Sequence, residues 1–221
     1  MLESGFFNMD CLEAMREFPD KFFDLLLADP PYGINLNNNI GRRKGDKPSD
    51  YKKNYWDSCV PSKEYFDEVK RVSKNQIIWG GNYFTENLPP SKCWICWDKG
   101  FSADVSFASF ELAWTSFDEA AKRILLPSAQ TERIHSCQKP IGLYLWLLQN
   151  YAKRGDKILD THVGSASSLI ACHRMGFEYW GFELDADYYK AASERLAKEK
   201  EMQPLFAPQE IYKQEGLSFD Q

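Results

Sequence analysis

The amino-acid sequence predicts an α/β protein: a single three-layer, doubly wound sheet of about seven strands. Three observations carry this expectation. Short apolar runs bounded by turn residues recur along the chain and alternate with helix-periodic segments, the pattern of a sheet covered by helices. One of these runs, Phe22–Ala28, is almost continuously apolar, as a strand buried on both faces requires. Finally, 221 residues with 43% hydrophobic and 15% aromatic content can bury a core large enough to order one domain.

The elements follow in order. Gly5–Asn8 is a short strand, and Cys11–Phe18 is a helix with Leu12, Met15 and Phe18 on one stripe. After the buried strand Phe22–Ala28, Ser62–Val72 is a helix opened by a Ser cap, with Tyr65, Phe66 and Val69 turned inward. Gln76–Trp79, Cys93–Trp97 and Glu111–Thr115 are further strands, and Ile141–Tyr151 is a strongly apolar helix. Lys157–Asp160, Ser167–Met175, Glu178–Glu183 and Ala186–Lys200 then alternate strand, helix, strand, helix. One domain over residues 1–200 is expected, followed by a polar tail over 201–221. Two stretches do not fit compact secondary structure: 35–55, and about 103–138, which contains the strand Glu111–Thr115 and then a polar connection; long irregular segments inside a compact domain are usually functional or disordered.

Composition excludes several classes. No apolar run approaches the roughly 20 residues of a membrane span, and the first residues lack the basic start and apolar stretch of a secretory leader. The expectation is a cytoplasmic protein without membrane contact. Six scattered cysteines in a chain of this length do not form a disulfide framework. Cys93 and Cys96, with His135 and Cys137, have the residue types of a zinc site. The alternation of Cys93–Trp97 instead sends the two thiols to opposite faces of a strand, so core thiols and no metal are expected. A net charge of −5 means that any nucleic-acid contact must be a local basic patch.

Two constellations carry chemistry. Asp29-Pro30-Pro31-Tyr32 stands at the C-terminal end of the buried strand, where open parallel sheets bind ligands. The prolines fix the backbone and remove two donors, which leaves carbonyls free to accept. A carboxylate, a rigid carbonyl and an aromatic ring suit the holding of a planar amine: Asp29 and the Pro30 carbonyl accept its two N–H groups and Tyr32 stacks on its ring. The same tetrapeptide would also serve as a plain tight turn. The second constellation is Asp160-Thr161-His162-Val163-Gly164-Ser165-Ala166-Ser167-Ser168, a strand end, a small-residue turn and a helix start, the form of a nucleotide-type site. It is neither a dinucleotide fingerprint nor a P-loop. Glu183, at the tip of the next strand, has the position from which an acidic side chain accepts ribose hydroxyls.

Together these motifs resemble the DNA amino-methyltransferases, which methylate adenine N6 or cytosine N4 from S-adenosylmethionine. Asp29-Pro30-Pro31-Tyr32 is similar to their catalytic motif, and the segment from Asp160 is similar to their methionine-binding loop. Asn8-Met9-Asp10-Cys11 resembles the adenine-side cofactor motif, and His135-Ser136-Cys137-Gln138-Lys139-Pro140 resembles the H-x-x-Q-K-P segment beside the cofactor. The catalytic motif precedes the cofactor loop, the circularly permuted order of the beta class, which includes restriction–modification enzymes and many small phage and prophage enzymes. Where members usually carry Pro-Phe-x-Gly-x-Gly, this chain has Thr161-His162 and places Ala166 at the second Gly.

The resemblance implies a class I methyltransferase fold of Rossmann type and adenine-N6 methylation of a base flipped out of double-stranded DNA. Asp29, Pro30, Pro31 and Tyr32 would be catalytic. Asp10, Cys11, Lys139, Pro140, Asp160, His162, Gly164, Ser165, Ser167 and Glu183 would hold S-adenosylmethionine. Cytosine-N4 methylation and a non-catalytic DNA- or cofactor-binding subunit remain the alternatives. The segment about 103–138 would carry target recognition, and pairing as a homodimer is expected. The tail peptide Gln214-Glu215-Gly216-Leu217-Ser218-Phe219 resembles sliding-clamp docking peptides.

Residues 35–55 hold Arg42, Arg43, Lys44, Lys47, Lys52 and Lys53 against Asp46 and Asp50, a net +4 that leaves −9 for the rest of the chain. Positive charge just after the catalytic turn is where a phosphate backbone would pass. Neutralising Arg42, Arg43 and Lys44 should weaken DNA binding alike for all sequences and lower its salt slope by about one unit per residue. DNA-binding isotherms across a salt series check this; an unchanged slope with an altered methylation site would contradict it.

Overall fold

The computed structural model of the chain describes residues 1–34, 57, 59–100, 108–128, 133–135 and 137–202. The basic residues between 42 and 53 and the tail peptide 214–219 lie outside them, as do parts of the segment 103–138.

The elements run β1 (Gly5–Asn8), α1 (Cys11–Arg16), β2 (Phe23–Ala28), α2 (Lys63–Val72), β3 (Ser73–Trp79), β4 (Trp94–Asp98), β5 (Phe110–Thr115) and β6 (Lys122–Leu125). They continue α3 (Ile141–Tyr151), β7 (Lys157–Asp160), α4 (Ser167–Met175), β8 (Glu178–Glu183) and α5 (Ala186–Glu201), with a 3₁₀ turn at Gly81–Tyr83. Local chemistry explains the helix starts: Asp10 accepts from the Leu12 and Glu13 amides, Ser62 from Tyr65, and Asp185 from Asp187 and Tyr188.

All eight strands form one sheet in the order β1-β8-β7-β2-β3-β5-β4-β6. Only β5 runs antiparallel to its neighbours, β3 and β4. The apolar run in β2 lies at the centre and feeds both layers. Leu25 and Leu27 join a cluster with Leu143, Leu147, Leu169, Ile170 and Ala192 from α3, α4 and α5. Leu26 and Ala28 join another with Ala14, Met15, Phe66 and Val69 from α1 and α2. Helices therefore cover both faces, the three-layer architecture expected.

Three details differ from the sequence expectation. An eighth strand, β6, lies within the segment read as a polar connection. Its residues Lys-Arg-Ile-Leu occupy an exposed sheet edge, so the apolar signal of a buried strand is missing. The first helix stops at Arg16 rather than Phe18, ahead of Pro19. The third strand begins at Ser73, directly after α2 with no connecting turn. Cys93 is buried and Cys96 partly exposed, on opposite faces as the alternation requires. Among the described residues no helix is long and apolar enough to cross a membrane.

Gly181 in β8 marks a close approach of backbone to helix. A Cβ there would lie 2.7 Å from Leu169 Cδ1 and 2.8 Å from Val163 Cγ2. Gly181→Ala should lower stability by about 1–3 kcal/mol, because a packed interior accommodates an added methyl only by moving its neighbours. Urea denaturation checks this, and an unchanged midpoint would contradict it.

Candidate active site

The sheet order creates the crevice. β2 connects through α2 to β3, whereas its neighbour β7 connects through α4 to β8, on the opposite side. Adjacent parallel strands whose chains leave in opposite directions open a cleft beyond their carboxyl ends. Register places Leu27 beside Asp160, Asp160 beside Gly181 and Asn8 beside Glu183. The turn from Asp29, the loop from Thr161, Glu183 and the Asn8–Asp10 segment therefore emerge along one sheet edge.

Both oxygens of Asp29 are engaged. Oδ1 accepts from the Tyr32 hydroxyl at 2.6 Å, and Oδ2 accepts from Lys139 Nζ at 2.5 Å. Tyr32 thus contributes a hydroxyl as well as the ring seen in the sequence. Burial and the neighbouring Asp29 hold its phenol well above the usual range, so it stays a donor. Its ring stacks on Tyr83 at 5.0 Å and lies against Gly80, whose positive φ and missing side chain admit it. Asp57 fixes the following backbone by accepting from the Tyr32 and Gly33 amides at 2.7 and 3.0 Å.

Lys139 is buried between two carboxylates, with Glu111 Oε2 at 3.2 Å on its other side. Burial opposes its charge, yet Asp29 and Glu111 hold it above the ordinary lysine range. Burial likewise would raise Glu111, but Lys139 and Lys99 keep its carboxyl below the usual value.

At the other strand ends, burial pushes the Asp160 carboxyl up to about 7, even though it accepts from Ser168 Oγ and from the His162 amide. Glu183 is also raised by burial; it accepts from the Gly164 amide at 2.8 Å and the Asp185 amide at 2.9 Å. Asp10 spends Oδ1 on capping α1, and burial pushes the adjacent Cys11 thiol up to about 12. Ser165 and Ser167 bond each other, and Arg195 donates to the Ser165 carbonyl and Ser167 Oγ. Pro140 sits at the N-cap of α3. His162 contacts Tyr65 edge-on and shares a 3.0 Å bond with Thr161, which in turn bonds Tyr65. Ala166, at the position where the resemblance leads one to expect Gly, has φ +63°.

The structure therefore brings the predicted catalytic and cofactor residues to one edge, with Lys139 seated on the Asp29 carboxylate. Sequence reading missed Glu111, Asp57, Tyr83 and Lys99. Of these only Glu111 left a signal, as the single charge within the strand Phe-Glu-Leu-Ala-Trp-Thr.

The sequence model of the DNA methylase family matches residues 83–194, half of the chain. The chain belongs to the DNA methylase family. The matched stretch includes the loop from Asp160 and Glu183, and Asp29 precedes it. This methylase is 26% identical over 218 residues to YubD of Escherichia coli (strain K12), itself named a methylase by inference, covering 88% of this chain and 90% of that one. It is 22% identical to the type II methyltransferase M.HinfI of Haemophilus influenzae, over 86% of this chain and 67% of the relative. Among solved structures, M1.HpyAVI in complex with SAM superposes with a TM-score of 0.60 at 17% identity, covering 86% and 98% of the two chains. The cytosine-N4-specific PvuII DNA methyltransferase superposes at 0.60 and 12% identity, covering 96% and 91%. These likenesses establish the methyltransferase fold.

The methylase carries a pH signature in its site. Burial pushes both His135 and His162 down to about 4. Between about 4 and the unfolded value of about 6.5 the unfolded chain binds more protons than the folded one, so these two groups cost stability as pH falls. Asp160 and Glu183, both raised in the fold, have the opposite sign and offset part of this loss. His162→Asn removes one of the two histidine contributions, so on acidification from pH 6.5 to 4.5 the variant should lose on the order of 1–2 kcal/mol less stability than the wild type. Denaturant titrations at the two pH values check this; an equal loss in the variant would contradict it.

Proposed function

We propose that this DNA methylase transfers a methyl group from S-adenosylmethionine to adenine N6 in double-stranded DNA. The observation that carries the reading is the Asp29 carboxylate, held by Tyr32 and Lys139 at the strand end beside the loop from Asp160. Each carboxylate oxygen has room for a second bond. Asp29 and the rigid Pro30 carbonyl can thus accept both hydrogens of an exocyclic amine and leave the nitrogen lone pair directed out of the base plane. Pro31 keeps that turn rigid, and Tyr32 offers its ring. A base reaches this site only after leaving the duplex, at a cost of a few kcal/mol.

The acidic edge suits a cofactor with a cationic sulfur, a ribose and an amino-acid end. Glu183 would accept ribose hydroxyls, with Asp10 and Cys11 on the adenine side. Asp160, His162, Gly164, Ser165 and Ser167 would hold the amino-acid end, with Pro140 alongside. When bound, S-adenosylmethionine supplies a methyl group already activated on sulfur. The protein contributes orientation and electrostatics rather than covalent chemistry.

The same reading gives residues 35–55 the phosphate contacts, gives the segment about 103–138 the target sequence, and has the protein act as a homodimer with the tail peptide as a clamp ligand. Asp-Pro-Pro-Tyr favours adenine. Cytosine-N4 methylation is the second reading, supported by the fold shared with the PvuII enzyme.

Nucleoside mass spectrometry of DNA treated with protein and S-adenosylmethionine should show N6-methyladenine; N4-methylcytosine would select the second reading. Asp29→Ala should slow transfer by roughly a thousandfold or more, since it deletes an acceptor that orients the amine. Its fold should persist, because Lys139 keeps Glu111 as a counter-ion, and cofactor binding by calorimetry should change little. Near-normal turnover in the variant would sink the mechanism.

A further inference from the structure

The H-x-x-Q-K-P resemblance places Lys139 among cofactor residues, but its ammonium has other commitments. Its three donors face three oxygens: Asp29 Oδ2 at 2.5 Å, Glu111 Oε2 at 3.2 Å and the Tyr32 hydroxyl at 3.4 Å. The ammonium also lies over an aromatic face, with Nζ 5.2 Å from the Trp79 ring centre. The side chain is 3% exposed, which leaves no donor and no open path toward a bound molecule.

We propose that Lys139, clamped between Asp29 and Glu111, positions the catalytic carboxylate for the target amine and is not a cofactor ligand. Asp29 needs a fixed carboxylate plane, because an amine hydrogen is directed by one oxygen lone pair and not by the charge alone. Tyr32 holds one oxygen and Lys139 the other, so rotation about the last side-chain bond is blocked while each oxygen keeps a free acceptor position. Glu111 is the second anchor. It sits in β5 and is itself gripped by Lys99 Nζ at 2.6 Å, just beyond β4. The chain of charge Lys99–Glu111–Lys139–Asp29 therefore ties the antiparallel part of the sheet to the catalytic turn after β2. Without Lys139, two carboxylates would face each other across one buried space, and their repulsion would turn Asp29 out of its place.

The inference rests on the amino-methylation reading, and its test separates the two. Single-turnover methyl transfer at saturating DNA and calorimetric S-adenosylmethionine affinity are measured for the wild type, Lys139→Met and Lys139→Arg. Lys139→Met should slow transfer on the order of a hundredfold, as losing a preorganised electrostatic partner does, with cofactor affinity and the KM for DNA little changed. Lys139→Arg, which keeps the charge, should recover part of the rate. Cofactor affinity falling in step with the rate, or a rate equal to wild type, overturns the inference. Where Lys139→Met fails to fold, Glu111→Gln carries the test: a slower step at unchanged cofactor affinity supports the clamp, and an unchanged rate overturns it. A wild-type protein that transfers no methyl group to DNA overturns the functional reading, and this inference with it.

Discussion

The parallel pairing of β2 with β7 is the constraint on which the rest of the structure depends. These two strands lie side by side at the centre of the sheet, and their chains depart in opposite directions, through α2 and through α4. Such divergence between neighbouring parallel strands is what opens a cleft at their carboxyl ends. It sets Asp29 and the Thr161–Ala166 loop beside each other although some 130 residues separate them in the chain. The buried alternation of Leu25, Leu26, Leu27 and Ala28 keeps β2 central, since each layer takes two of the four.

Placing several carboxylates along one edge creates an electrostatic problem that the fold solves internally. Asp29 and Glu111 share a buried lysine, Glu183 takes two backbone amides, and Asp160 takes a serine hydroxyl and an amide. Asp160 is nevertheless pushed up to about 7 by burial, so a cationic ligand nearby would favour its charged form. Removing one partner of a buried ion pair costs about 3–5 kcal/mol, far more than an exposed pair contributes. The Asp29–Lys139 contact is of the buried kind. The exposed Arg16–Glu64 and Lys92–Asp118 pairs are not.

Local strain marks the same edge. Ala166 adopts the left-handed conformation with φ +63° at the start of α4, where a side chain costs roughly 1–2 kcal/mol relative to the ordinary helical region. Its methyl is fully buried in the cluster with Leu169 and Val163, which offsets part of that cost. Alanine also makes this turn stiffer than glycine would, because it has fewer unfolded conformations to lose.

Sequence by itself determined the element order, the central buried strand, the Asp29–Tyr32 turn and the small-residue loop after Asp160, because these are written in local periodicity, proline chemistry and adjacent motif residues. It did not determine β6, whose four residues on an exposed edge bury too little to leave an apolar pattern. Nor did it determine the partners of Asp29. The Tyr32 hydroxyl, Lys139, Glu111 and Lys99 come from four places in the chain, and the single charge in Phe110–Thr115 says only that something buried must answer it. Which cation answers is decided when β5 pairs antiparallel with β3 and the segment before α3 crosses the sheet edge. Hydrophobic patterning is a property of neighbouring residues and survives in the sequence. The pairing of buried charges depends on distances of a few ångströms between remote segments, and only the folded chain sets those.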